Sequence, residues 1–133
     1  MKEIPTSILV VAVALFDSQG RVLLQQRLPG KHHAGLWEFP GGKVESTEMP
    51  REALVREIAE ELGLELDPAL LQPAFFAEEG GNPAIVLNLY TSHQAAGEGE
   101  ARDGQAFGWF APDEAAGLEL APMDRALLEK LRR

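Results

Sequence analysis

Three glutamates carry the clearest chemical potential in this chain: Glu57, Glu60 and Glu61, within Arg56-Glu57-Ile58-Ala59-Glu60-Glu61-Leu62. In a helix turning about 100° per residue they fall together in an arc of roughly 100°, while Leu54, Val55, Ile58, Ala59 and Leu62 share the other side. The i,i+3 and i,i+4 spacings set like charges side by side, at about 0.2–0.5 kcal/mol per exposed pair and more when partly buried. A helix selected for stability alone would interleave lysines, yet no Lys or Arg follows Arg56 until Arg102. Two readings are open at this point. One is a solvated acidic face, the usual meaning of a charge run. The other is a divalent-cation site: carboxylate oxygens suit Mg²⁺ or Mn²⁺, whereas His or Cys ligands would point to zinc. A calcium loop, which takes alternating ligands from one loop, does not have this spacing.

The preceding residues favour the cation site. Gly41-Gly42 frees the backbone for a tight turn and a close approach to a ligand or metal. Arg56 directly precedes Glu57, and Glu48 lies eight residues before Arg56. The full pattern is Gly42, five residues, Glu48, seven residues, then Arg56-Glu57-Ile58-Ala59-Glu60-Glu61-Leu62-Gly63-Leu64.

These residues need a scaffold. The chain has 133 residues, the length of one domain, and is expected to form a single domain over 1–133. A chain of that size buries about two-thirds of its unfolded surface, so it needs no disulfide, and it has no cysteine. Pro50 suits a first helical position and Gly63 the stop, which predicts a helix between them. Ile8–Phe16 is an apolar run rich in β-branched residues, read as a strand buried on both faces, with Arg21–Arg27 following it in a hairpin over 7–27. Further strands are predicted at 73–79, 84–91 and 106–110, and a C-terminal helix at 123–131, which together make an α/β domain with a mixed sheet.

The run of apolar residues is too short for a membrane span, which takes about 20. As a signal-peptide core it lacks a basic leader, since Glu3 offsets Lys2, and it lacks a small-residue cleavage site, so cytoplasm is the expected address. The net charge is −9, and all of it sits in residues 57–101, where nine acids face no base. Such a balance argues against a long nucleic-acid partner, whose binding rests on basic surface.

Residues 42–64 match every fixed position of the Nudix box, and 27–45 (RLPGKHHAGLWEFPGGKVE) are similar to the MutT-type branch of Nudix hydrolases. The similarity continues more weakly through Asp103-Gly104-Gln105 and residues 121–124. The resemblance implies the Nudix fold, an α/β/α sandwich with a mixed sheet and the box as loop–helix–loop. It implies a Mg²⁺-dependent enzyme (Mn²⁺ as the alternative) acting on a small-molecule nucleotide, with water attacking phosphorus to leave a nucleoside monophosphate and pyrophosphate. It also implies site roles. Glu57, Glu60, Glu61 and the Gly41 carbonyl would hold metal, with Asp103 a further metal or base carboxylate. Arg56 would orient Glu57, and Glu48 would pair with Arg56, shape the loop or take a direct part. Glu57 and Glu61 are both open as general base.

On the substrate side the resemblance points to Arg27 for phosphate or sugar, His32 near the nucleotide, and Phe39 as a base contact. Asp124 stands where the oxidised-guanine enzyme of the branch carries an Asn that reads the base. An Asp accepts hydrogen bonds and donates only when protonated, so purine preference is expected to differ. Trp37 and Trp109 are read as core residues. Purine triphosphates such as 8-oxo-dGTP lead the expected substrates, followed by CTP-type pyrimidines or a nucleoside diphosphate derivative. A nucleotide sensor without turnover is the competing class, and the intact Arg56-Glu57 and Glu60-Glu61 argue against it.

Overall fold

The structure is a computed structural model describing residues 7–133; Lys2, Glu3 and the rest of residues 1–6 lie outside the described residues. Strands β1 (Ser7–Leu15), β2 (Val22–Gln26), β3 (Trp37–Glu38) and β4 (Gly41–Lys43) precede helix α1 (Pro50–Leu62). A 3-10 turn at Pro68–Leu70 leads to β5 (Gln72–Glu79), β6 (Ala84–Ser92) and β7 (Phe107–Phe110), then to helices α2 (Pro112–Ala116) and α3 (Pro122–Leu131).

Two sheets form, in the orders β4-β1-β6-β5 and β3-β2-β7. β1 runs parallel to β6 over its whole length, from Ser7 opposite Ala84 to Leu15 opposite Ser92, and antiparallel to β4. The sheet is therefore mixed, as expected. The expected 7–27 hairpin does not form as an extended ladder: β2 pairs with β3 and β7, and only the bridge Phe16–Val22 joins it to the end of β1. The physical reason lies in β1 itself. Residues Val11 to Leu15 are all buried, so this strand occupies an interior position and needs partners on both edges and cover on both faces.

Alternation along β1 assigns those faces. Val11, Val13 and Leu15 pack with Leu54, Ile58 and Leu62 of α1, whereas Ala12 and Ala14 pack with Leu127 and Leu128 of α3. β2 repeats the division, Leu23 toward α1 and Val22 and Leu24 toward the α2–α3 side. The result is helix, sheets, helix. Each buried Val, Leu or Ile among these contributes about 1.5–3 kcal/mol against exposure, so the α1 face is anchored by Leu54, Ile58 and Leu62 below the acidic residues.

Both ends of α1 follow the sequence signals. Pro50 occupies the first turn, and Gly63 adopts φ 67°, its N–H returning to the Ala59 carbonyl at 3.1 Å. Trp37 meets Phe110 edge-on at 5.4 Å and Trp109 donates to the Glu98 carbonyl at 3.1 Å; both are half-buried structural contacts. No helix among the described residues is long and apolar enough to cross a membrane.

Candidate active site

Arg56 organises the acidic helix. Its guanidinium has five N–H donors, and all five are engaged. Nε and one terminal nitrogen hold the two oxygens of Glu48 at 2.6 and 2.8 Å, and the same terminal nitrogen reaches the Lys43 carbonyl at 3.3 Å. The other terminal nitrogen donates to Glu57 Oε1 at 2.9 Å and to Glu60 Oε2 at 3.4 Å. Glu48 also accepts the Glu45 N–H at 2.9 Å, so it both pairs with Arg56 and shapes the loop. The Arg56 guanidinium, with that N–H, pulls the Glu48 carboxyl down to about 2.

The three box acids do not share one environment. Glu60 is 60% exposed, whereas Glu57 is only 18% exposed and lies against Gly42, where an added Cβ would strike its carboxylate. Burial raises the Glu57 carboxyl, against the opposing pull of Arg56. Glu61 turns the other way. Its Oε2 accepts from Gln25 Nε2 at 3.1 Å, while Oε1 is buried with no hydrogen-bond partner. Burial pushes the Glu61 carboxyl up to about 8, opposed by the Gln25 hydrogen bond and reinforced by the charges of Glu57, Glu38 and Asp103.

An unpaired buried acceptor costs about 1–3 kcal/mol. A cation at Glu61 Oε1 would remove that cost, whereas a proton would remove only the charge. The surrounding donors are hard carboxylate oxygens, so the group fits Mg²⁺ or Mn²⁺ rather than a thiophilic metal. Asp103 sits exposed on the loop 101–104, close enough to Glu61 to raise its pKa. That loop is placed by the end of α1: the Leu62, Glu61 and Ala59 carbonyls accept from Glu100 N, Arg102 N and the Arg102 side chain at 2.9, 3.0 and 3.2 Å. Helix-end carbonyls need such partners, and here they draw the Asp103 loop to the acid face.

Several participants escaped the sequence reading. Gln25 is buried, and its Nε2 lies 3.1 Å from both Glu61 Oε2 and Glu38 Oε2. Its Oε1 accepts from Gln105 Nε2 at 3.1 Å, and Gln105 Oε1 accepts the Asp103 N–H at 3.1 Å. Gln25 follows Leu23 by two residues in β2 and so points to the α1 face, which is the one signal that would have exposed it.

Through Glu38 the network reaches the expected substrate side. Arg27 donates to Glu38 Oε1 at 2.6 Å and to the His32 carbonyl. Phe39 has its ring in the core, and its N–H donates to Asp124 Oδ1 at 2.9 Å. Asp124, in the first turn of α3, is only 4% exposed; burial lifts its carboxyl to about 7, with Glu38 adding to the shift. Arg27, Phe39 and Asp124 are thus gathered around Glu38. The His32 ring is turned away to Glu79 at 2.7 Å, beside His33. Gly41 is locked into β4 opposite Ala12, with Lys31 and Lys43 exposed nearby in the chain.

The raised carboxyls give a pH prediction. Glu61 and Asp124 bind protons more tightly folded than unfolded, so their stabilising contribution is full below their ordinary values of 4.5 and 3.8. It is lost as pH rises through about 7 for Asp124 and about 8 for Glu61. Glu48 works oppositely, losing its contribution as pH falls from 4.5 toward 2. In the presence of a chelator, the urea midpoint is therefore expected to fall between pH 4.5 and 8, and Glu61→Gln to flatten the upper part of that fall. Superimposable wild-type and variant profiles would remove Glu61 as the titrating group.

Comparison with known proteins shows the family and the fold. The NUDIX domain model matches residues 6–131. The CTP pyrophosphohydrolase of Escherichia coli is 40% identical over 121 residues, covering 90% of this chain and 87% of the relative. The 8-oxo-dGTP diphosphatase of Haemophilus influenzae is 32% identical over 127 residues, covering 93% and 91%. The solution structure of the E. coli ORF135 protein superposes with a TM-score of 0.83 at 38% identity, covering 96% of this chain and 90% of that one.

Proposed function

Since this chain belongs to the NUDIX family as a MutT-like hydrolase of pyrophosphate bonds, we propose that it is a Mg²⁺-dependent nucleoside triphosphate pyrophosphohydrolase, releasing a nucleoside monophosphate and pyrophosphate. One observation carries the reading: the buried, unpartnered oxygen of Glu61 beside Glu57, in an acid face whose only basic partner among the described residues is Arg56. A triphosphate would be repelled by that face unless cations lay between them.

Glu57, Glu60, Glu61, Asp103 and the Gly41 carbonyl are the residues that would hold metal. When bound, the ion supplies charge neutralisation for the phosphates and a lowered pKa for water. Arg56 holds Glu57 in place and Glu48 holds Arg56, so these two are positioning residues. Glu57 and Glu61, both raised by burial, are the two candidates for accepting a proton from water, Glu61 once a bound cation holds its carboxyl ionised. Arg27 is the phosphate or sugar contact on the far side, with His32 at the loop rim.

For the base we propose an oxidised purine such as 8-oxo-dGTP, read by Asp124 and the Phe39 backbone. The ionised Asp124 only accepts, which suits the N–H groups of a guanine edge, whereas the acid form also donates, which the ring nitrogen of cytosine would need. With its carboxyl lifted to about 7, Asp124 stands between these forms near neutrality. The likeness to a CTP pyrophosphohydrolase favours cytosine nucleotides as the second reading.

A panel of 8-oxo-dGTP, dGTP, CTP and dCTP with Mg²⁺, scored for pyrophosphate against orthophosphate, tests both. Pyrophosphate release that chelation abolishes is expected, with 8-oxo-dGTP ranked first in the wild type and the order altered in Asp124→Asn. Nucleotide binding with neither product released would sink the enzyme reading. An order unchanged in the variant would place base recognition elsewhere.

A further inference from the structure

Outside the acid face, His32, His33 and Glu79 form a second cluster. His32 Nε2 lies 2.7 Å from Glu79 Oε2 and His33 Nε2 lies 2.8 Å from Glu79 Oε1, so two adjacent imidazoles engage both oxygens of one carboxylate. The rings sit 3.8 Å apart, centroid to centroid. One ligand atom from each of the three residues falls within 4.8 Å of the others, and among the described residues no other group of three acidic, His or Cys side chains converges this closely. We propose that His32, His33 and Glu79 bind a transition-metal cation of the Zn²⁺ class, at a site separate from the carboxylates of α1.

The donor set decides the class of metal. Neutral imidazole nitrogens suit Zn²⁺ and its neighbours, whereas Mg²⁺ takes oxygen donors and keeps its waters. A tetrahedral ion with bonds of about 2.1 Å separates its ligands by about 3.4 Å. The nitrogen–oxygen pairs at 2.7 and 2.8 Å, each to a different Glu79 oxygen, therefore need to open by about 0.7 Å, and the wider separations, within 4.8 Å, to close toward the same value. Three protein ligands leave a fourth position for water.

The scaffold presents these ligands in advance. His33 adopts φ 58°, a conformation that costs a non-glycine residue energy, and it directs two consecutive side chains to the same carboxylate. The loop is closed by turn hydrogen bonds from Ala34 N to Lys31 O at 3.1 Å and from Gly35 N to Arg27 O at 2.9 Å. His33 and Glu79 are 26% and 21% exposed and His32 is 62% exposed, so the site is open to solvent on one side. On binding, the proton each Nε2 shares with Glu79 moves to Nδ1 or to solvent, leaving the nitrogen lone pair to the metal. Because the His32 carbonyl accepts from Arg27, an occupied site would also brace the Arg27 loop against the end of β5.

Calorimetric titration of Zn²⁺ into the full chain, with Mg²⁺ in large excess to hold the acid face, reads binding without reference to hydrolysis. A single Zn²⁺ equivalent is expected. His33→Ala and Glu79→Gln should each weaken it at least ~10-fold, the scale of losing a ligand or its support, while Glu57→Gln leaves it unchanged. Circular dichroism melts confirm that each variant is folded, and either of the two suffices for the comparison. Zn²⁺ affinity unchanged in both variants, or lost in Glu57→Gln or on adding Mg²⁺, would overturn the site and assign the binding to the α1 carboxylates.

Discussion

Replacing Glu57 by glutamine is expected to lower kcat by at least ~10²-fold, the scale of losing a general base or a metal ligand. Glutamine keeps the length and volume of the side chain and removes its charge, so packing against Gly42 is retained. What changes is the acceptor. Arg56 now gives Glu57 Oε1 a charge-assisted hydrogen bond of 2.9 Å. An amide returns a weaker acceptor and offers an N–H₂ that neither Arg56 nor a cation can use. Arg56 keeps Glu48 at 2.6 and 2.8 Å, so the guanidinium itself stays in place. Steady-state kinetics on the substrate that leads the nucleotide panel, with a denaturation midpoint to show the variant is folded, measure the effect. A kcat within about threefold of wild type, on the same scale, would take Glu57 out of the mechanism.

Two neighbouring glycines should fail in different ways. An added Cβ at Gly41 would fall onto the Val11 carbonyl, 2.7 Å from Ala12 Cα and 2.8 Å from the Val11 carbonyl carbon, all backbone of the interior strand β1. Backbone of a paired strand cannot step aside without breaking its ladder, so Gly41→Ala is expected to cost at least ~2 kcal/mol of stability. At Gly42 the obstacle is the Glu57 carboxylate, a side-chain end that can rotate away. Gly42→Ala should therefore fold with a nearly normal urea midpoint and lose activity by about 10²-fold, as a displaced reactive group does. Urea denaturation and kcat measured on both variants separate the cases. Equal stability losses with equal kcat would mean that contact with Gly42 does not set the position of Glu57.

The sequence was most informative where the determinants are local. Pro50 and Gly63 marked the ends of α1, and the spacing from Gly42 to Leu64 marked the acidic segment, because helix caps and helix faces depend on residues a turn apart. It was least informative about partners in space. The parallel pairing of β1 with β6 joins residues more than seventy positions apart, beyond any local signal, and β3 and β4 are too short, at two and three residues, to show a period. The acid face was legible as a cluster but not as three environments. Which glutamate is covered depends on β2 and β4 lying over Glu61 and Glu57, and Glu60 has neither above it. Gln25, Glu38 and Gln105 were missed because a lone neutral or paired residue has no pattern until its neighbours are known.

Gln25 has a consequence for how this chain can diverge. Its amide nitrogen lies against two carboxylates and its oxygen against the Gln105 amide, so its orientation is set from both ends. Either glutamine codon becomes a glutamate codon by a single base change. At this position the product would be three carboxylates meeting in a buried space, with Gln105 still offering its N–H₂ to one of them. That mutational path is closed unless Glu38 or Glu61 changes as well. Positions 25, 38, 61 and 105 are therefore expected to be inherited as a set, and a descendant that alters one should carry a compensating exchange at another.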